Sequence, residues 1–174
     1  NIDESLLLDG GNFFQGHPLG IADSGRTVIE WMNKVEYDAL VPGNNDFLFG
    51  LDNLLDLAKK ANFSFLAANL YYADNKSLIF KPYEIIDYKD VKIGIIGIVN
   101  PDLNNIVLSK NLKNILLKDP VESLQTTVKE LENKADIIIL LTSAGIPWDR
   151  EKVYKNFVLS NNNAPLNAIE LGYY

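Results

Sequence analysis

Val41-Pro42-Gly43-Asn44-Asn45-Asp46-Phe47 lies between an apolar run, Tyr37 to Val41, and a stretch of helical periodicity that begins near Leu51. The run before it is short and apolar, as a buried strand would be. Beyond it, Leu51, Leu54, Leu55 and Leu57-Ala58 recur at helical spacing and predict an amphipathic helix ending near Ala61. A Gly-Asn-Asn-acid turn at the C-terminal mouth of a strand is where α/β proteins usually put their chemistry. Strand, polar turn and helix form the local unit; the chain shows no internal repeat and no linker.

Upstream, Leu6-Leu7-Leu8-Asp9 reads as a buried strand that runs into Gly10-Gly11, a loop with room for close backbone approach. Asn12 follows as a turn residue that tolerates left-handed geometry. Ser24 is the expected N-cap of a helix from about Gly25 to Val35, with Val28, Trp31, Met32 and Val35 on its apolar face. Downstream, Phe63 to Ala67 is a third strand, and residues 71–81 read as polar and irregular. Lys81 to Ile86 and Val91 to Val99 read as a hairpin joined through Tyr88-Lys89-Asp90. The second run is apolar at both parities, which predicts a central strand covered on both faces. Residues 100–118 carry no assignable pattern. Asp119 as N-cap and Pro120 at the first helical position open a helix whose apolar face is Val121, Leu124, Val128 and Leu131. Ala135 to Leu141 is another buried strand, ending in Thr142-Ser143-Ala144-Gly145. A helix near Asp149 to Asn156 and a last strand, Phe157 to Ser160, complete the expected order. Alternating strands and helices predict an α/β fold but do not by themselves separate it from a Rossmann-like sheet.

The 174 residues suit one domain with a sizeable core, and 47% hydrophobic with 22% charged residues is ordinary for a globular fold. A net charge of −7 argues against a nucleic-acid or anionic-membrane surface, since both need clustered Lys and Arg. A phosphate ester is not excluded, because a local metal or helix N-terminus can outweigh global charge. The absence of cysteine removes disulfides, thiolate zinc sites and thiol nucleophiles together. No apolar run approaches the roughly 18 residues of a membrane helix. The chain opens at Asn1 rather than Met, so the lack of a visible leader pattern carries little weight.

Several blocks resemble one family. Leu6-Leu7-Leu8-Asp9-Gly10-Gly11-Asn12-Phe13-Phe14-Gln15-Gly16 is similar to Leu-Leu-Leu-Asp-x-Gly-Asp-x-x-Gln-Gly, a central block of the 5′-nucleotidase branch of the calcineurin-like metallophosphoesterases. Met32-Asn33-Lys34-Val35-Glu36-Tyr37-Asp38-Ala39 followed by Gly43-Asn44-Asn45-Asp46-Phe47 and Gly50 resembles its second block, Met-Asn-x-x-x-Tyr-Asp-Ala, Gly-Asn-His-Glu/Asp-Phe and Gly. Ala67-Ala68-Asn69-Leu70 and the Lys81-Pro82-Tyr83 hairpin are similar to further family segments. The resemblance covers about residues 5–160. It implies a metallophosphoesterase-like sandwich of mixed β-sheets flanked by helices, with strand-end loops converging on one site. It implies one such domain over 1–174, lacking the first strand of the family fold.

The same resemblance maps the family's two-metal site onto this chain residue by residue. The bridging Asp falls on Asn12, the phosphate-contacting His on Asn45, and a later His on Ser143, within Thr142-Ser143-Ala144-Gly145 against the family's Leu-Ser-His-x-Gly. The last two His fall on Asn162 and Ala164. The N-terminal Asp-x-His has no counterpart. Asn44 keeps its ligand type, and Asp46 keeps the place of the acid that orients the phosphate-contacting His. The single histidine, His17, sits near the expected site but off the ligand positions. A ligand that bridges two dications must be an anion, because it offsets repulsion across about 3.5–4 Å; the neutral carbonyl oxygen of Asn12 does not.

The first reading is therefore a catalytically degenerate 5′-nucleotidase-like domain that serves as a binding or structural module and needs no cofactor. Its asparagines Asn12, Asn44, Asn45 and Asn162 are then available to a nucleotide or other small polar ligand. The alternative is an active 5′-nucleotidase with two divalent ions, Mn, Zn or similar, and further ligands outside this chain. A third reading is a fragment that works with a protein partner or a C-terminal domain. The resemblance also implies an extracytoplasmic setting, periplasmic or at the cell surface.

Overall fold

The computed structural model describes residues 5–16 and 18–144. The chain divides into two compact units, Asn1–Ser143 and Ala144–Tyr174, and the elements below belong to the first. In chain order they are β1 (Leu8–Asp9), α1 (Pro18–Ala22), α2 (Arg26–Val35), β2 (Ala39–Leu40), a 3₁₀ turn at Asn44–Phe47, α3 (Gly50–Lys60), β3 (Ser64–Phe65), β4 (Leu70–Tyr72), β5 (Tyr83–Tyr88) and β6 (Val91–Ile98). There follow α4 (Leu103–Ile106), a second 3₁₀ turn at Ser109–Asn111, β7 (Ile115–Leu117), α5 (Pro120–Leu131) and β8 (Ile137–Thr142).

The first sheet is parallel in the order β1-β2-β3, with Leu8 opposite Ala39 and Ala39 opposite Ser64. Parallel neighbours need crossovers, and α2 and α3 supply them. Backbone bonds carry the ladder past the short strands: Asp38 N–H donates to Leu7 O at 2.9 Å and Leu66 N–H to Leu40 O at 2.8 Å. The second sheet is mixed, β5-β6-β8, antiparallel on one side of β6 and parallel on the other. As the apolar parity predicts, β6 is the central strand and is buried from Ile93 to Ile98. A two-stranded ribbon, β4 with β7, closes the layer.

The two sheets meet backbone to backbone. Ala68 N–H donates to Gly97 O at 2.7 Å, and a Cβ on Gly97 would lie 2.4 Å from Leu66 O. Only glycine permits that approach. Phe14, Ile29, Met32, Phe47, Leu54 and Leu57 pack between the parallel sheet and its crossover helices. Leu131 of α5 packs with Ala68, Ile96 and Ile98 on the mixed sheet. Each such side chain contributes roughly 1.5–3 kcal/mol by leaving water.

Several expectations need correcting. Ser24 is not the cap of α2. Gly25 holds that place in the left-handed region with no side-chain cap, and Asp23 instead accepts from Thr27 N–H at 2.8 Å and Thr27 Oγ1 at 2.6 Å. Trp31 is 54% exposed, because Ile29, one position off the expected stripe, takes the core place beside Met32. Residues 71–81, expected to be irregular, begin in a strand, and 100–118, which carry no assignable pattern, hold its partner: Tyr71-Tyr72 pair antiparallel with Leu116 and Ile115. Three-residue strands are too short to show a period. β8 is not buried throughout: among the described residues it is an edge strand, and its first residue, Ile137, is 50% exposed. Val121 is also exposed, and Thr127 fills the buried place on α5. The N-cap of α5 is as expected, with Asp119 Oδ1 accepting from Glu122 N–H at 2.9 Å. The helix near Asp149 and the strand at Phe157–Ser160 lie outside the described residues.

Candidate functional site

Two glycine-rich loops interlock at the C-terminal ends of β1 and β2. Gly11 has φ +91°, and a Cβ there would lie 2.2 Å from Gly43 N. No L-residue fits, so the first loop lies directly on the second. Asn12 follows at φ 63°, the left-handed geometry expected of it. Its Oδ1 accepts from Asn45 N–H at 2.8 Å. Asn44 Nδ2 donates to Asn45 Oδ1 at 3.0 Å. The β8 end comes close as well, since a Cβ on Gly10 would lie 3.7 Å from Thr142 O.

Asp46 ties the loops together from below. Its carboxylate is fully buried and accepts three backbone N–H groups: Asn12 at 2.7 Å, Gly43 at 2.8 Å and Phe13 at 3.0 Å. Burial pushes its pKa up to about 7, with a smaller push from Asp9, while the three N–H groups pull the other way. Asp9 Oδ1 accepts from Gly11 N–H at 2.7 Å, and burial raises its carboxyl too. Ser143 Oγ accepts from Asn100 N–H at 3.0 Å, which fastens the end of β8 to the end of β6.

The structure therefore gathers Asn12, Asn44, Asn45 and Asp46 at one strand-end site. His17, Asn162 and Ala164 lie outside the described residues. Two contributors were not singled out from the pattern. Gln15, with Pro18 and Ile21 of α1, lines an open cavity of about 580 Å³ beside Asn45. Asn69, fully buried, donates from Nδ2 to Val99 O and accepts from Val99 N–H, both at 2.9 Å. The signal for Asn69 was an amide set between Ala67-Ala68 and Leu70, in an otherwise apolar segment that could not solvate it.

The donor set of the described residues does not fit a pair of divalent cations. Among the described residues no three His, Cys, Asp or Glu side chains converge on one point. The Asn12 oxygen is neutral and already accepts the Asn45 N–H, and the Asp46 carboxylate is taken by three donors. Offsetting two dications needs anionic ligands that this arrangement does not offer.

No protein-family model matches the chain. A 5′-nucleotidase of Vibrio cholerae is 33% identical over 142 residues, which is 80% of this chain and 26% of that protein. Among solved structures, the calcineurin-like phosphoesterase YfkN of Bacillus subtilis superposes with a TM-score of 0.72 at 32% identity, over 82% of this chain and 49% of that one. The chain belongs to the 5′-nucleotidase branch of the calcineurin-like metallophosphoesterases. A putative 5′-nucleotidase of Staphylococcus aureus, solved in complex with alpha-ketoglutarate, reaches a TM-score of 0.73 at 25% identity, over 82% of this chain and 29% of that one. The mixed β-sheets flanked by helices are thus those of a metallophosphoesterase fold. The chain spans about a quarter of the length of the curated 5′-nucleotidase.

Proposed function

We propose that this chain is a catalytically degenerate 5′-nucleotidase-like domain that serves as a binding or structural module. One observation carries the reading. Oxygens at three of the positions that match the family's site are spent on holding the loops: Asn12 Oδ1 on Asn45, the Asp46 carboxylate on three N–H groups, and Ser143 Oγ on Asn100. A site built for two cations would instead aim free anionic oxygens and imidazoles at one point. The reading leaves the domain able to take a nucleotide or another small polar ligand, and to work beside a C-terminal domain or a protein partner. An extracytoplasmic setting, periplasmic or at the cell surface, is part of the same proposal. Among the described residues no helix is long and apolar enough to cross a membrane.

The test is elemental analysis of the purified chain after incubation with Mn²⁺ and Zn²⁺, wild type beside Asn44→Ala. Metal near zero in both supports the proposal. Stoichiometric metal in the wild type that is lost in Asn44→Ala overturns it in favour of an active 5′-nucleotidase, and AMP hydrolysis then becomes the assay.

A further inference from the structure

Four carboxamides meet at the strand-end site. Asn12 and Asn45 are joined by a 2.8 Å bond, Asn44 and Asn45 by a 3.0 Å bond, and Gln15 lines the same cavity as Asn45. Several of their hydrogen-bonding atoms have no partner among the described residues: Asn12 Nδ2, Asn44 Oδ1, Asn45 Nδ2 and both ends of Gln15. Gln15 and Asn45 thus line one cavity beside the apolar Pro18 and Ile21, and Asn12 and Asn44 are bonded to Asn45.

Among the described residues the charges around the site are acidic. No Lys or Arg lines the cavity among the described residues. Arg26, at the start of α2, is turned to Asp56 at 3.9 Å. The acids Asp9 and Asp46 stand under the loops, and the chain carries a net charge of −7. A phosphate dianion entering here would meet no Lys or Arg among the described residues, in a chain of net charge −7 with two acids beneath the loops. A neutral hydroxyl pair would meet amides, each of which offers an oxygen and an NH₂ to adjacent hydroxyls.

We propose that this site takes an uncharged ligand with vicinal hydroxyls, a free pentose or the ribose of a nucleoside, and discriminates against its phosphate monoester. The proposal rests on the degenerate reading above and names its ligand class. It inverts the charge preference that a phosphatase site needs, using the residues that stand in the ligand positions.

The experiment is ligand-observed saturation-transfer NMR on the full chain in EDTA, with the pairs ribose and ribose 5-phosphate, and adenosine and AMP. The neutral member of a pair should bind at least about tenfold more tightly at low salt, with the gap narrowing in high salt as the site's charge is screened. Transfer to both ribose and adenosine identifies the sugar as sufficient, and transfer to adenosine alone identifies a nucleoside. Asn45→Ala and, separately, the exposed Gln15→Ala should each weaken binding severalfold while the circular dichroism spectrum is unchanged. No transfer to any of the four compounds overturns the proposal, and so does phosphate-ester binding as tight as that of the neutral partner. Either result leaves the degenerate reading intact, whereas Mn²⁺-dependent hydrolysis of AMP overturns both.

Discussion

Asp46→Asn separates two opposed effects at one buried carboxyl. In the folded chain burial lifts the Asp46 pKa from the usual 3.8 to about 7, against the pull of three backbone N–H groups. The native state therefore holds a proton that the unfolded chain gives up near pH 4. Below the unfolded value both states are protonated and the acid contributes its full stability; as pH rises through 7 that contribution is lost. A gap of about three units, at about 1.4 kcal/mol per unit, sets an upper limit of ~4 kcal/mol for the loss. Asparagine keeps the shape and does not titrate. With its oxygen in the Oδ2 place it still accepts from Asn12 and Gly43 and loses only the Phe13 N–H, at a cost of about 1–3 kcal/mol. Urea unfolding of both proteins at half-unit steps from pH 4 to 8 isolates the difference, since the titrating groups other than the neighbouring Asp9 cancel. Wild type should be the more stable at pH 4, and its advantage should shrink or reverse by pH 8. A difference that widens with pH would refute the reasoning, because it would mean that the three N–H groups outweigh burial and hold the carboxylate ionised.

Three further outcomes follow from the same geometry. Gly11→Ala puts a Cβ 2.2 Å from Gly43 N at φ +91°, and should cost roughly 3–5 kcal/mol in urea unfolding; a loss under 1 kcal/mol would mean the loops are not interlocked. Asn69→Leu strands the N–H and carbonyl of Val99 in a buried place, and should cost about 2–5 kcal/mol by the same measurement. Overnight dialysis against EDTA should leave the thermal midpoint unchanged to within about a degree. A fall of several degrees would reveal a bound cation that stabilises the native state.

The sequence was legible wherever a period was long enough to express burial. β6, α3 and the Asp119-Pro120 start of α5 lie where apolar parity and capping chemistry put them. The Gly11 and Asn12 turn was legible for another reason: a glycine pair and an asparagine after a strand have few other uses. Trp31 was misread because an amphipathic face one residue wide cannot be told from its neighbour, and large aromatics keep part of their surface in water. β4 and β7 were missed because their pairing partner lies more than forty residues away and neither carries a local signal. At the site, the identities of Asn12, Asn45 and Asp46 were readable. Their bonds to backbone N–H groups were not, since such bonds depend on which loop lies over which.

Those bonds bear on how the strand-end loops hold together with Asn12 where the family resemblance expects an acid. Where two cations lie among strand-end loops, their ligands draw the loops together, and removing the anions would leave the loops to repel or drift apart. Here the closing forces come from inside the protein. Gly11 lies against Gly43, the Asn12 amide holds the N–H of Asn45, and Asp46 gathers donors from both loops at 2.7–3.0 Å. Each such bond contributes about 1.5–3 kcal/mol when the acid is ionised, which offsets part of the cost of burying it. The acid that the family resemblance assigns to orienting a histidine is thus, in this chain, the post around which both loops close. A loop pair closed in this way leaves its amide ends free to face solvent, and that freedom is what the proposed ligand site uses.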